Sequence, residues 1–112
     1  ITKTDQEIKK EQVDNNVTQA NISLQMGILT LESDISLSAT RELEAESAVT
    51  GAKQALENAK DAPADGFAQG LINAFQAVKK AQNNLDAVRA EIQDIKDIKE
   101  FLEATKAELF GA

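Results

Sequence analysis

The sequence predicts an all-α fold, a long antiparallel hairpin of two helices paired as a coiled coil. We expect this hairpin to complete a four-helix or larger bundle by oligomerisation. Apolar residues recur at alternating spacings of four and three in two separate stretches, the periodicity of a coiled-coil seam. The single proline lies between the two stretches, and eighteen alanines give the chain a high helix propensity.

Each of the two predicted seams has thirteen positions, of which ten are apolar in the first and eleven in the second. The first seam runs through Val17, Asn21, Leu24, Ile28, Leu31, Ile35, Ser38, Glu42, Ala45, Val49, Ala52, Leu56 and Ala59. The second runs through Phe67, Leu71, Ala74, Val78, Ala81, Leu85, Val88, Ile92, Ile95, Lys99, Leu102, Lys106 and Leu109.

The elements follow one another simply along the chain. Residues 1–14 are polar and form an N-terminal extension, helical but frayed or dependent on a partner. The single hairpin domain, 15–110, consists of helix A at about 15–60, a turn at 61–65 and helix B at about 66–110. Pro63 cannot continue helix A, and the Asp65 carboxylate can cap the first N–H groups of helix B.

Residue size along the seams favours antiparallel pairing, because alanines lie near the turn in both seams and bulky residues lie far from it. Two registers satisfy this pairing, with the numbers of facing residues summing to 123 or to 130. The first stacks the aliphatic layers, with Leu31 opposite Ile92, whereas the second places Leu31 opposite Lys99. We therefore favour the sum of 123.

Two other folds are open at this point. If helix A breaks at Gly27 or Gly51, the chain forms a compact monomeric bundle of three or four helices. Alternation of apolar and polar residues between 22 and 39 also fits a short β-hairpin. The unbroken helical seam through the same residues favours the helix.

Large apolar residues outside the seams are the candidate interface, because a lone hairpin leaves them in water. These residues are Ile22, Met26, Leu29, Leu37, Phe75, Ile98 and Phe101. They predict a non-enzymatic structural protein that assembles into a bundle, filament or appendage, with a homo-oligomer or another helical protein as partner. The alternatives are a secreted or surface module that recognises another protein, and an amphipathic binder of lipid interfaces, which the acidic charge disfavours.

Polar residues within the seams are candidates for fixing the register. Asn21 and Glu42 are the foremost of these, since a buried polar residue can specify register at a cost in stability. Lys99 and Lys106 are expected to extend their amino groups to solvent at the far end of the hairpin.

Composition excludes most chemistry. The net charge of -7 disfavours binding to nucleic acid, and the absence of Cys and His removes the usual zinc ligands and nucleophile–base pairs. We predict no enzyme activity, cofactor, metal site or transmembrane span. The sequons at Asn16 and Asn21 are expected to be coincidental. A chain that starts at Ile1 rather than Met slightly favours a secreted or extracytoplasmic location over a cytoplasmic one.

Overall fold

The computed structural model describes residues 4–111, which form two helices, α1 (Asp5–Lys60) and α2 (Phe67–Phe110). This confirms the predicted all-α hairpin. Residues 22–39 lie within α1, and α1 continues through both Gly27 and Gly51. The β-hairpin and the compact three- or four-helix bundle are therefore wrong, because two isolated glycines cost a long amphipathic helix only about 1 kcal/mol each.

The first helix begins ten residues before the predicted start of helix A at 15. The backbone N–H of Glu7 donates to the Thr4 hydroxyl oxygen at 3.2 Å, and Ile8 N donates to Thr4 O at 3.0 Å. Thr4 is thus the N-cap, and Thr4-x-x-Glu7 has the sequence of a capping box. Residues 5–14 of the predicted polar extension are consequently helical and exposed, and residues 1–3 lie outside the described residues.

Glycines in the left-handed region mark both ends of α2. Gly66 has φ of 72°, and its carbonyl accepts the N–H of Gly70 at 2.9 Å. Gly66 is therefore the N-cap of α2, and the predicted cap Asp65 is wrong. Gly111, with φ of 71°, donates its N–H to Ala107 O at 3.0 Å and ends α2 as a left-handed C-cap.

Contacts divide the chain into two compact units, each built from one segment of α1 and one of α2. The turn unit comprises Asp34–Ile95, and the described part of the terminal unit comprises residues 4–33 and 96–111. In both, the predicted seams face inward. Every seam position from Asn21 to Ala59 and from Phe67 to Lys106 is buried or half-buried.

The core of the turn unit is a narrow layer of small and large residues. Ala45, Val49 and Leu85 are buried together, with Ala81 packed against them. Two ion pairs flank this layer, Arg41 with Glu91 at 3.2 Å and Glu46 with Arg89 at 3.1 Å. Such flanking pairs set the partner and orientation of coiled-coil helices.

In the observed register, the numbers of facing residues on α1 and α2 sum to about 130. The favoured register, with a sum of 123, is therefore wrong by one heptad. In the terminal unit, Leu102 Cδ1 lies 3.4 Å from the position of a Cβ on Gly27, a pair whose numbers sum to 129. In the turn unit, Arg41 and Glu91 sum to 132. A shift of seven residues would place Asn84 opposite Arg41 and would break the ion pair.

The seams lose their regularity far from the turn. Val17 and Leu109 are predicted seam residues, yet they are 47% and 63% exposed, whereas Phe110 is half-buried. A straight α-helix has 3.6 residues per turn, so a strict seven-residue repeat drifts around it by about 20° per heptad. The drift replaces Leu109 by Phe110 on the inner face.

Candidate interaction surfaces

The outer face of α1 in the terminal unit carries three neighbouring apolar side chains. Ile22, Met26 and Leu29 are 47%, 63% and 53% exposed. With seam positions labelled a (Asn21, Ile28) and d (Leu24, Leu31), these residues occupy positions b and f of the heptad. Because b and f lie away from the a/d seam, pairing with α2 cannot cover them.

Between Ile8 and Gln54, positions b and f of α1 form an uncharged stripe, which we call the outer stripe; the next b and f residues beyond it, Asp5 and Glu57, are charged. All fourteen of its residues are exposed, and none carries a charge. Its members are Ile8, Gln12, Asn15, Gln19, Ile22, Met26, Leu29, Ser33, Ser36, Thr40, Leu43, Ser47, Thr50 and Gln54. Charged residues make up 28% of the chain, so a solvated helix face of this length would ordinarily contain several. Sequence reasoning identified its members Ile22, Met26 and Leu29 but missed this regularity.

The other predicted interface residues are exposed but lie off this stripe. Leu37, at 66% exposure, occupies a neighbouring c position of α1. Ile98 and Phe101 lie on α2 in the terminal unit and are 50% and 66% exposed. Phe75 lies on α2 in the turn unit, where Lys79 Nζ approaches its ring centroid to 6.0 Å and so partly covers it from the same helix.

The terminal unit also has an open apolar cleft of about 420 Å³ near the end of α2. It forms where α2 ends at Phe110, so that Val17 and Leu109 become lining residues instead of core. The lining residues are Val13, Asn16, Val17, Ala20, Leu109 and Phe110. Sequence reasoning missed this cleft, because the strict heptad assigned Val17 and Leu109 to the buried seam.

Of the two candidate register residues, Asn21 lies in the terminal unit and Glu42 in the turn unit. Both are half-buried. Asn21 Oδ1 is buried and accepts no hydrogen bond from the described residues. A buried acceptor without a donor costs about 1–3 kcal/mol, so Asn21 destabilises the hairpin where it stands.

The two seam lysines contact polar residues of α1 in the terminal unit instead of extending freely into solvent. Lys99 Nζ lies 3.5 Å from Glu32 and 3.1 Å from Glu103. Lys106 Nζ donates to Gln25 Oε1. The hydrogen bond to Glu103, the main cause, and the charges of Glu103 and Glu32 raise the pKa of Lys99 above its ordinary value, against a smaller lowering by burial.

The described residues provide no other recognisable site. Residues 4–111 contain no group of three or more acidic residues placed to hold a metal ion. Neither described helix is long and apolar enough to cross a membrane. Comparisons with models of protein families, with curated proteins and with solved structures give no match for this chain.

Proposed function

We propose that this chain is a non-enzymatic assembly protein whose hairpins associate through the outer stripe of α1 into a four-helix or larger bundle. The observation that carries the proposal is the exposure of Ile22, Met26 and Leu29 at the centre of a face without charges. Solvated faces of soluble helices are normally charged, and a contiguous apolar patch marks an interaction surface.

The charge distribution supports association through this face in particular. Each chain carries a net charge of -7, so two copies repel each other at most orientations. The outer stripe is a long surface of the chain on which contact between copies brings no charges directly together. Its polar members are uncharged Ser, Thr, Asn and Gln, which can remain at the edge of an interface at little cost.

The three central residues alone give weak association. Full burial of such a side chain contributes about 1.5–3 kcal/mol, so burying the exposed half of each gives about 0.8–1.5 kcal/mol. Two copies supply six side chains, or about 5–9 kcal/mol, against an association cost of at least about 4 kcal/mol. The balance corresponds at best to about millimolar affinity, so a stable assembly requires contacts along the rest of the stripe.

Static light scattering at increasing concentration tests the proposal. The wild-type mass should rise above 12.1 kDa. The triple variant Ile22→Gln/Met26→Gln/Leu29→Gln should remain monomeric. Ile72, also on α2, is 48% exposed. As a matched control, Ile72→Gln/Phe75→Gln/Phe101→Gln removes three exposed apolar residues of α2 and should associate like the wild type. A wild-type mass that stays at 12.1 kDa up to about 1 mM would refute self-assembly.

The apolar cleft favours a second function, recognition of another protein's helix. Val17, Leu109 and Phe110 line a groove that an apolar side chain of a partner could fill. Chemical cross-linking in a cell extract would then return one foreign protein. The Leu109→Glu variant would no longer capture this protein, and its oligomeric state in light scattering would be that of the wild type. Cross-linked products that contain this chain alone would count against this function.

A further inference from the structure

The dipeptide Asp65-Gly66 is the only place in the chain where a glycine follows an aspartate or an asparagine. It lies in the segment that joins α1 to α2 in the turn unit, and both of its residues are exposed. The other aspartates and asparagines, apart from Asp61, lie inside α1 or α2, and each of them is followed by a residue with a Cβ atom. Asp65 therefore has a chemical environment that no other acidic or amide residue of the chain shares.

The backbone nitrogen of Gly66 and the carboxylate of Asp65 are both free of hydrogen bonds. Among residues 4–111, the Gly66 N–H has no acceptor, and the Asp65 carboxylate accepts no hydrogen bond and forms no ion pair. The nearest hydrogen bonds lie on either side, from Phe67 N to Ala64 O at 3.0 Å and from Gly70 N to Gly66 O at 2.9 Å. The nitrogen and the carboxylate can therefore approach each other without first losing a partner.

The geometry points to Asp65-Gly66 as a site of spontaneous covalent modification, at which water converts Asp65 to isoaspartate. The Gly66 nitrogen attacks Cγ of Asp65 and forms a C–N bond, while the amide proton and the carboxyl hydroxyl leave together as water. Water then adds to a carbonyl of the resulting succinimide ring and breaks its bond to nitrogen. Opening at Cγ restores aspartate, whereas opening at the main-chain carbonyl gives isoaspartate, whose backbone runs through Cβ and Cγ. The water lost is regained, and nothing is oxidised or reduced.

The turn itself requires the glycine that makes Asp65 reactive. Gly66 is the third residue of a four-residue turn closed by the hydrogen bond from Phe67 to Ala64, and its φ is 72°. Positive φ at the third residue is typical of a type II turn, in which glycine is favoured. Glycine also lacks the Cβ that would obstruct the approach of its nitrogen to the aspartate side chain. The conformation that connects the two helices thus maintains the reactive dipeptide.

Isoaspartate would alter the start of α2. It adds a methylene carbon to the backbone between Ala64 O and Phe67 N, so the hydrogen bond that closes the turn no longer fits. The cap formed by the Gly66 carbonyl and the Gly70 N–H follows directly after this bond. Since the first N–H groups of a helix depend on such caps, we expect the first turn of α2 to fray in modified chains.

Incubation of the full chain at neutral pH in ¹⁸O-water tests the modification, because each opening of the ring leaves one ¹⁸O atom at residue 65. Subsequent digestion with trypsin in ordinary water gives the peptide 61–79, which carries Asp65 together with Asp61 as an internal control. Asp61 is also exposed and lies in the same connection, but Ala62 follows it. We expect at least about tenfold more ¹⁸O at Asp65 than at Asp61, which corresponds to a barrier to ring closure lower by about 1.4 kcal/mol. Isoaspartate should accumulate only at residue 65.

The synthetic peptide 61–79, incubated in the same way, shows the reactivity of the dipeptide without the fold. Label at Asp65 in the peptide but not in the full chain would show that the fold protects the site and would overturn the proposal. Equal label at Asp61 and Asp65 in the full chain would also overturn it, since the following glycine would then have no effect.

The effect on α2 is measured by thermal unfolding, followed by circular dichroism, of the isomerised chains after chromatographic separation. Their midpoint should lie below that of fresh wild type. Asp65→Ala, incubated alongside, loses a carboxylate that has no partner in the described residues and should keep its midpoint. Equal midpoints for isomerised and fresh wild-type chains would contradict the loss of the cap. Association between copies is not required for any of these outcomes.

Discussion

Truncation of one core leucine tests how the hairpin is held together, because α2 provides a natural control of the same residue type. Leu85 and Leu109 are both positions of the predicted seam, but Leu85 is 4% exposed and Leu109 is 63% exposed. The heptad alone would assign them equal importance. The structure assigns them very different contributions to the free energy of unfolding.

Leu85→Ala removes most of a fully covered side chain from a layer whose neighbours Ala45 and Ala81 are too small to fill the space. The expected loss is about 2–4 kcal/mol, in the lower part of the range for buried Leu→Ala changes because a two-helix layer has open sides. Leu109→Ala loses only the covered third of its side chain and gains helix propensity. Its expected cost is about 0–1 kcal/mol.

Urea unfolding followed by far-ultraviolet circular dichroism measures both costs. The chain has no Trp or Tyr, so helix content is the practical signal. All variants are compared at one low concentration, at which association does not contribute to stability. Equal losses for Leu85→Ala and Leu109→Ala would refute the burial pattern and the drift of the seam near the end of α2.

Three further predictions concern polar and backbone features of the hairpin. Asn21→Leu should raise the unfolding free energy by about 1–3 kcal/mol in urea, since it removes the buried, unpartnered Oδ1; an unchanged midpoint would contradict that. Gly51→Ala, with nothing within 4 Å of the new Cβ, should stabilise α1 by about 1 kcal/mol in thermal unfolding. Gly27→Ala should gain less, because its Cβ would lie 3.4 Å from Leu102; equal gains would refute this contact. Because folding raises the pKa of Lys99 from 10.5, its contribution is fully present below pH 10.5 and is lost as pH rises through the higher folded value. The stability difference between wild type and Lys99→Met should shrink across that range, and a constant difference would argue against the ion pairs.

The hairpin was predictable because two independent patterns agree, the paired seams and the single Pro63 between them. The correct register was not predicted, because the choice between the two registers relied on stacking large aliphatic residues opposite each other. The decisive signal was the charge at flanking positions, where Arg41 and Glu91 meet only in the observed alignment. The early start of α1 was also present in the sequence, as the capping sequence from Thr4 to Glu7.

The sequence analysis did not predict which residues are buried near the end of α2, because a heptad template repeats strictly every seven residues and a real helix does not. A heptad template treats Leu109 as buried, while the actual helix turns Phe110 inward. The candidate interface was partly predictable, because Ile22, Met26 and Leu29 are exposed as their heptad positions require. The partner that binds this surface is determined by contacts between molecules, and these cannot be derived from the fold of a single chain.

The most direct test of the central claim, association through the outer stripe, uses the only methionine of the unmodified chain. The ¹³C-labelled methyl resonance of Met26 should shift with protein concentration along a monomer–dimer isotherm, with a midpoint at or below about 1 mM. In a mixed-label sample, this methyl group should show intermolecular nuclear Overhauser effects to Ile22 and Leu29 of a second copy. A Met26 resonance that stays fixed over the whole concentration range, without intermolecular effects, would contradict the account.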